Sequence, residues 1–254
     1  MPAPENRLKV RFENKDLTTG LWLSMAHSYA TEIAGYIGFD WLLIDGEHAP
    51  NDMRAIMEQL QVLGNSSSQV VVRPPSSEVY LIKQLLDMGA QSLLLPMIES
   101  GEQAELMVRA VRYPPAGIRG VGAGSARASR FSTLDNYTAT ADAEICLILQ
   151  VESRAGIAAL DDIASTEGVD CIFIGPSDLS ADMGYLGNPF APEVQAVIED
   201  AIKRIHGHGK AVGIYMTDET YARHYQTLGV NMIAVGADVA VLVNALKQLK
   251  QTYA

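Results

Sequence analysis

Short apolar runs of strand length alternate with longer helical patterns along the whole of this 254-residue chain, and that rhythm restricts the fold more than any single motif. The strand-like runs are Gly20–Met25, Trp41–Asp45, Val70–Arg73, Ser92–Met97, Ile145–Val151, Cys171–Gly175, Val212–Met216 and Met232–Val235. Helical patterns fall between them at Tyr29–Tyr36, Asn51–Leu63, Ser77–Met88, Glu102–Val111, Gly156–Ala164, Pro192–His206 and Thr217–Leu228, and Val239–Lys250 closes the chain. Runs this continuously apolar are buried on both faces, as parallel strands under crossover helices are. Strict βα alternation at this length favours a closed (β/α)8 TIM barrel over an open doubly wound sheet, which usually has fewer strands. Gly64, Gly89, Gly209 and Gly229 each follow a helical pattern and precede a strand, where helix stops belong. No linker, repeat or heptad run interrupts the pattern, so a single domain over residues 1–254 is expected.

Several runs end on polar or charged groups. Asp45 to His48 follow the second strand, Arg73 ends the third, Gln150 and Glu152 flank Val151, and Gly175-Pro176-Ser177-Asp178 follows Cys171–Ile174. In a β/α barrel the carboxyl ends of the strands converge on one rim, so these groups form a candidate site there.

Composition limits the partners. Hydrophobic residues make up 48% and charged residues 19%, the balance of a folded protein. A net charge of −11 without a basic stripe argues against nucleic acid. The first residues lack the apolar core of a secretory signal and no run reaches membrane-spanning length, so a soluble, cytoplasmic protein without membrane contact is expected. Cys146 and Cys171 lie in or at the start of apolar strands without metal-site spacing, which favours buried, reduced thiols.

Gln150 and Glu152 are two apart on one strand and share a face, and Asp178 lies just past the next strand. Two carboxylates with no neighbouring His or Cys suit a hard cation such as Mg2+ or Mn2+. The competing reading makes Glu152 a cap for the turn at Ser153–Gly156 and Asp178 a helix cap. Arg73, before Pro74-Pro75, either meets a carboxylate or enolate oxygen over the rim or serves as an ion pair with a nearby acid. His48 directly follows the second strand, whereas His27 follows the first among small polar residues and the other three lie in or at the ends of helical patterns; it is suited to accept a proton near pH 7, though a lone histidine there is more often a loop residue. Asp87 could orient it if the fold brings the two together.

Two chemistries are disfavoured. An imine route needs a lysine at a strand end, but Lys83, Lys203, Lys247 and Lys250 fall in helical patterns, Lys210 precedes its strand, and Lys9 and Lys15 precede the barrel. Gly120-Val-Gly-Ala-Gly lacks the Lys-Ser/Thr of a P-loop and follows no strand, so it is a tight turn rather than a nucleotide site. It lies in an unusually long connection between the helix ending near Arg112 and the strand starting near Ile145. That connection starts on the lower face, opposite the expected site.

Longer motifs carry a resemblance over nearly the whole chain. They are Gly20-Leu-Trp-Leu, Phe39-Asp-Trp-Leu-Leu-Ile-Asp-Gly-Glu-His-Ala-Pro, Val71-Val-Arg-Pro, Ile82-Lys-Gln-Leu-Leu-Asp, Tyr113-Pro-Pro-Ala-Gly-Ile-Arg-Gly-Val-Gly, Ala126-Arg-Ala-Ser-Arg, Gln150-Val-Glu and Ile174-Gly-Pro-Ser-Asp-Leu-Ser-Ala-Asp-Met-Gly. In these the chain resembles the HpcH/HpaI family of metal-dependent pyruvate aldolases. The resemblance implies that Glu152 and Asp178 hold a divalent metal (Mg2+, Mn2+ or Co2+), and that Gln150 and the Ser177 main chain contact the oxo acid. It implies that Arg73 stabilises an enolate and that His48, made more basic by Asp87, accepts a proton. Trp22, Asp45 and Tyr215 complete the expected substrate contacts. Tyr215 departs from the smaller aliphatic groups of relatives and is expected to shape the aldehyde pocket.

The implied reaction is reversible aldol cleavage of a 4-hydroxy-2-oxo acid, of the 4-hydroxy-2-oxoheptanedioate type, to pyruvate and an aldehyde, with hydroxypyruvate as a further donor. The family setting implies aromatic-compound catabolism. It also implies a homohexamer built as a trimer of dimers, with the C-terminal helix exchanged between subunits and the Arg119–Arg130 stretch finishing a neighbour's pocket. The alternatives are oxo-acid decarboxylation or citrate-lyase-like cleavage at the same metal, which product analysis separates, and a non-catalytic oxo-acid-binding barrel, which binds without turnover.

Overall fold

In the computed structural model, which describes residues 1–254, eight parallel strands close into one barrel in sequence order, with β8 hydrogen-bonded back to β1. The first half of the chain runs α1 (Arg7–Glu13), β1 (Thr18–Leu23), α2 (Ser28–Ile37), β2 (Trp41–Asp45), α3 (Met53–Val62), β3 (Gln69–Arg73), α4 (Val79–Met88), β4 (Ser92–Leu95) and α5 (Gly101–Ala110). The second half runs α6 (Tyr137–Thr140), β5 (Cys146–Val151), α7 (Arg154–Ala158), α8 (Leu160–Ser165), β6 (Cys171–Ile174), α9 (Pro176–Asp182), α10 (Pro192–Gly207), β7 (Ala211–Tyr215), α11 (Glu219–Thr227), β8 (Met232–Ala237) and α12 (Asp238–Thr252).

Side chains alternate across each strand, and the alternation sorts the core into two shells. Leu42, Ile44, Val72, Leu147, Leu149, Ile172, Ile174, Val212 and Ile214 face outward into the helix layer. Trp22, Trp41, Leu43, Val71, Ile148 and Phe173 fill the barrel itself. Cys146 and Cys171 belong to this inner shell, unpaired and fully buried, and burial pushes both thiols well above their ordinary range. At the lower end Leu8 and Phe12, one turn apart on α1, close the barrel floor. Each such buried side chain contributes roughly 1.5–3 kcal/mol.

Several boundaries differ from those read in the sequence. β1 begins at Thr18 rather than Gly20, and β4 stops at Leu95 because Pro96 cannot continue the ladder and Met97 turns to a φ of 58°. The single helix expected over Gly156–Ala164 is two, α7 and α8. Neither α1 nor α9 was expected; α1 is started by Asn6, whose side chain accepts from Lys9 N, and α9 by Pro176 in its first turn. Gly89, Gly209 and Gly229 take the left-handed turn expected of helix stops, whereas Gly64 lies inside a 3-10 turn.

The long connection from Val111 to Ile145 packs on the lower face around its own small core of Ala3, Tyr113, Ala123, Ala128, Leu134, Tyr137 and Ala141. Arg119 is fully buried there, 4.3 Å over the Tyr113 ring and donating to Tyr137 Oη at 3.2 Å. α12 is unlike the other long helices, for it buries none of its residues and leaves Val239, Leu242, Leu246 and Leu249 exposed. No helix is long and apolar enough to cross a membrane.

Candidate active site

In β2, β3 and β5 the inward-facing column is apolar through the barrel and changes to polar groups at its carboxyl end. Leu43 is followed two residues on by Asp45, Val71 by Arg73, and Ile148 by Gln150 and Glu152. β2 and β3 are in register with Asp45 opposite Arg73, which brings the two side chains together as a direct consequence of pairing. All four are almost fully buried, with exposures of 2% for Asp45, 5% for Arg73 and 3% each for Gln150 and Glu152.

Arg73 is the centre of this group. Its Nε donates to Asp45 Oδ1 at 2.9 Å, its Nη1 lies 2.7 Å from Glu47 Oε2 and donates to Gln150 Oε1 at 3.5 Å, and its guanidinium carbon lies 5.3 Å from the centre of the Trp22 ring. The ion pairs that the sequence offered as an alternative role are therefore present, and they aim the guanidinium rather than remove it from the rim. Nη2 has no hydrogen-bond partner. Asp45 Oδ1 also accepts from the backbone N–H of Glu47 at 3.0 Å and His48 at 3.4 Å, so one carboxylate oxygen shapes the loop that carries His48.

Glu152 accepts from Met97 N at 3.0 Å and from the Gln150 amide. Its pKa is pushed up to about 7, first by burial and then by the charges of Glu47 and Asp178, against the lowering effect of the Met97 N–H. Glu47 is also raised, chiefly by burial, with Arg73 pulling it down. Neither of the capping roles offered as alternatives for the metal-site carboxylates is present. Ser153, not Glu152, accepts from Gly156 N to start α7, and Asp178 makes no side-chain cap although it sits in the first turn of α9. Ser177 beside it is exposed at the rim.

These residues fit a divalent cation. A Cβ at Gly175 would stand 2.7 Å from Glu152 Oε2, so only glycine leaves room for that carboxylate, and the charges of Glu47 and Asp178 both raise the Glu152 pKa with no cation beside it to offset them. No three His, Cys, Asp or Glu side chains cage an ion by themselves. An ion held by Glu152 and Asp178 would keep positions for other oxygens.

Trp22 forms the floor. It meets Tyr215 edge-on at 5.2 Å, Phe173 at 5.6 Å and Trp41 at 6.1 Å. Tyr215 thus borders the rim from β7, and partial burial raises its phenol pKa.

His48 is on the rim loop but is 65% exposed, and the carboxylate nearest its Nε2 is Glu47 at 3.9 Å. Asp87 is not beside it. That expectation fails within one protomer because Asp87 lies at the carboxyl end of α4, which the barrel places on the lower face, where it sits 3.7 Å from Arg119. Glu47 and Asn51 are the functional residues that the sequence analysis did not single out. Asn51 Nδ2 donates to the Asp45 carbonyl at 2.7 Å, Gln59 Nε2 donates to Asn51 at 2.6 Å, and Thr31 donates to Gln59 at 2.8 Å, a buried relay that pins the end of β2. Glu47 lay in view inside Asp45-Gly-Glu-His; the parity of a loop, unlike a strand, does not reveal where its side chain turns.

A family model described as HpcH/HpaI aldolase/citrate lyase matches residues 18–245. The chain is 55% identical over 249 residues to a hydroxypyruvate/pyruvate aldolase of Pseudomonas aeruginosa, covering 98% of this chain and 93% of that protein. It is 49% identical over 245 residues to a 4-hydroxy-2-oxo-heptane-1,7-dioate aldolase of Escherichia coli, covering 96% and 94%. A solved structure of a HpcH/HpaI aldolase/citrate lyase family protein from Burkholderia cenocepacia superposes with a TM-score of 0.95 at 40% identity, over 98% of this chain and 99% of that one.

Proposed function

The chain belongs to the HpcH/HpaI aldolase/citrate lyase family, and from that premise we propose how its rim divides the work of aldol cleavage. The protein is a class II pyruvate aldolase, a carbon–carbon lyase that cleaves hydroxy-oxo acids to pyruvate. The observation that carries the assignment of roles is Arg73, clasped by Asp45 and Glu47 over Trp22 with Nη2 free, and set beside the Gln150–Glu152 pair.

Glu152 and Asp178 hold the divalent cation, Mg2+, Mn2+ or Co2+. When bound, the cation acts as a Lewis acid on the keto group of the oxo acid. Gln150 and the Ser177 main chain orient the oxo acid. Arg73 offers Nη2 to the oxygen that gains charge as the C3–C4 bond breaks, already aimed by its two carboxylates so that little reorganisation is needed. His48 accepts the C4 hydroxyl proton. Trp22 and Tyr215 border the aldehyde, and their ring edges favour an apolar or hydroxylated acceptor.

The subunit reading follows from exposed surface. α12 presents Val239, Leu242, Leu246 and Leu249 without a partner, and α2 presents Tyr29, Ile33, Tyr36 and Ile37, an apolar stripe at helical spacing. Exchange of α12 within a homo-oligomer, a hexamer built of dimers, would cover such faces. In that assembly Asp87 and the Arg119–Arg130 stretch act on the His48 of a neighbouring copy.

The test is a retro-aldol assay with 4-hydroxy-2-oxo acids. Activity is expected to vanish with EDTA and to return with Mn2+, Mg2+ or Co2+, with pyruvate and aldehyde as products. Carbon dioxide as the main product, or full activity in EDTA, would overturn the reading. His48→Ala is expected to lower kcat about 10²–10³-fold with cation affinity unchanged, and equal turnover would remove His48 from its role.

A further inference from the structure

We propose that Ser77 and Met97 are positioning residues for the cation site, a role that rests on the reading of Glu152 as a cation ligand. Together they lock the peptide group between Pro96 and Met97 so that it occupies Glu152 Oε1 and leaves Oε2 to the ion. The peptide is held at both ends. Ser77 Oγ donates to its oxygen, Pro96 O, at 2.7 Å, and its N–H, on Met97, donates to Glu152 Oε1 at 3.0 Å. A hydrogen-bonded chain thus runs from the loop between β3 and α4, across the end of β4, to the carboxylate just past β5.

The backbone holds this peptide against its own preference. Met97 has a φ of 58°, in the left-handed region that a side chain other than glycine enters at a cost. Packing of the side chain does not demand it, since Met97 is 51% exposed. Flipping the peptide would return Met97 to ordinary backbone, but it would turn the Pro96 carbonyl toward the Glu152 carboxylate and the N–H away. The strained form gains both hydrogen bonds, and strain of this kind persists where surrounding contacts over-determine it. The irregularity is local, because the next N–H, on Ile98, donates to Gln150 O at 3.0 Å and rejoins β5.

The two oxygens of Glu152 then have separate duties. Oε1 is tied to the β4 side by Met97. Oε2 accepts from the Gln150 amide and lies on the β6 side, where Gly175 leads into α9 and Asp178 stands in the first turn of that helix. An ion shared by Glu152 and Asp178 is therefore offered Oε2. A single carboxylate oxygen suits the small octahedral ions, whereas Ca2+ takes roughly six to eight oxygens and readily uses both of one carboxylate. To do so here it would have to break the Met97 hydrogen bond. The bridge from Ser77 thus favours Mg2+ or Mn2+ over Ca2+.

Because the backbone makes the contact, the side chain at 97 matters through the conformation it permits. Glycine enters the left-handed region freely, whereas a β-branched valine resists it most. Both replace an exposed side chain, so they differ in backbone preference far more than in packing. At position 77 threonine keeps the hydroxyl that the Pro96 carbonyl accepts from, and alanine removes it.

The experiment is calorimetric titration of the cation-free full-length protein with Mn2+ and with Ca2+ at fixed pH and ionic strength. Met97→Val and Ser77→Ala are expected to weaken Mn2+ binding about tenfold and to narrow the preference for Mn2+ over Ca2+. Met97→Gly and Ser77→Thr should stay within about twofold of the unmodified protein in both respects. Melting temperatures of the cation-free variants confirm that they fold. A lowered melting temperature with Mn2+ affinity unmoved in Met97→Val and Ser77→Ala would make the bridge merely structural and overturn the inference. Equal losses in Met97→Gly and Met97→Val would overturn it too, and an unchanged ratio of Mn2+ to Ca2+ affinity would remove the discrimination between ions. Glu152→Gln separates the two failures. Mn2+ binding undiminished by Glu152→Gln would overturn the cation reading and this inference with it, whereas binding lost there but unmoved by Ser77→Ala and Met97→Val would overturn this inference alone.

Discussion

At the upper rim Arg73 is gripped by Asp45 and Glu47 and lies over Trp22, whereas at the lower face Arg7, Arg127 and Arg130 rest against neutral carbonyls or against nothing. Both ends gather arginine in an acidic protein, but they do so for different physical ends. At the rim, paired carboxylates fix the direction of one guanidinium and leave its Nη2 without a hydrogen-bond partner. A guanidinium held by opposite charges has a fixed direction, and one that donates to carbonyls ties together the segments that carry them.

The sharpest way to break this contrast is to exchange the ends. Arg73→Ala should lower kcat/KM for retro-aldol cleavage about 10²–10³-fold, while Arg7→Gln, which removes only a hydrogen bond to the Ser67 carbonyl, should leave it within about twofold. Steady-state kinetics on both variants decides, and comparable losses would erase the distinction. Next in size is a pH effect confined to the rim. Glu152 is held at about 7 against an ordinary value of 4.5, so between those values the folded, cation-free protein keeps a proton that the unfolded chain has lost. The sign follows: stability of the cation-free protein falls as pH rises through that window. A cation must displace the same proton, so Mn2+ affinity should fall roughly tenfold per pH unit below about 7 and level off above it. Calorimetry across that range checks the slope, and a flat profile would remove Glu152 from the cation site.

Smaller effects separate structure from chemistry. Arg127→Met frees the Met88 and Leu60 carbonyls and should cost about 1–3 kcal/mol in urea denaturation. Tyr215→Ala should alter the ratio of kcat/KM between short and long aldehydes by about tenfold or less, since one wall of an apolar pocket gives only modest discrimination.

Much of the rim was legible in the sequence because a strand has a fixed period. Once Leu43, Val71 and Ile148 are inward, Asp45, Arg73 and Gln150 must be inward too, and the βα alternation puts all their carboxyl ends on one side. Asp87 shows the limit of the same logic. Its helix was read correctly, but a helix end opposite the strand end lies on the far face, and only a second copy could return it to a His48.

The sequence by itself therefore determined the closed barrel, the polar strand ends and the family, because each rests on local periodicity or on contiguous motifs. Tertiary structure alone decided that Glu47 joins Arg73, that Thr31, Gln59 and Asn51 support Asp45, that α1 closes the barrel floor, and that Arg127 ties the ends of α3 and α4 through the Leu60 and Met88 carbonyls. These pairings join segments far apart in the chain through loops and irregular backbone. Without a fixed period, nothing in the order of residues tells which side chain will face which.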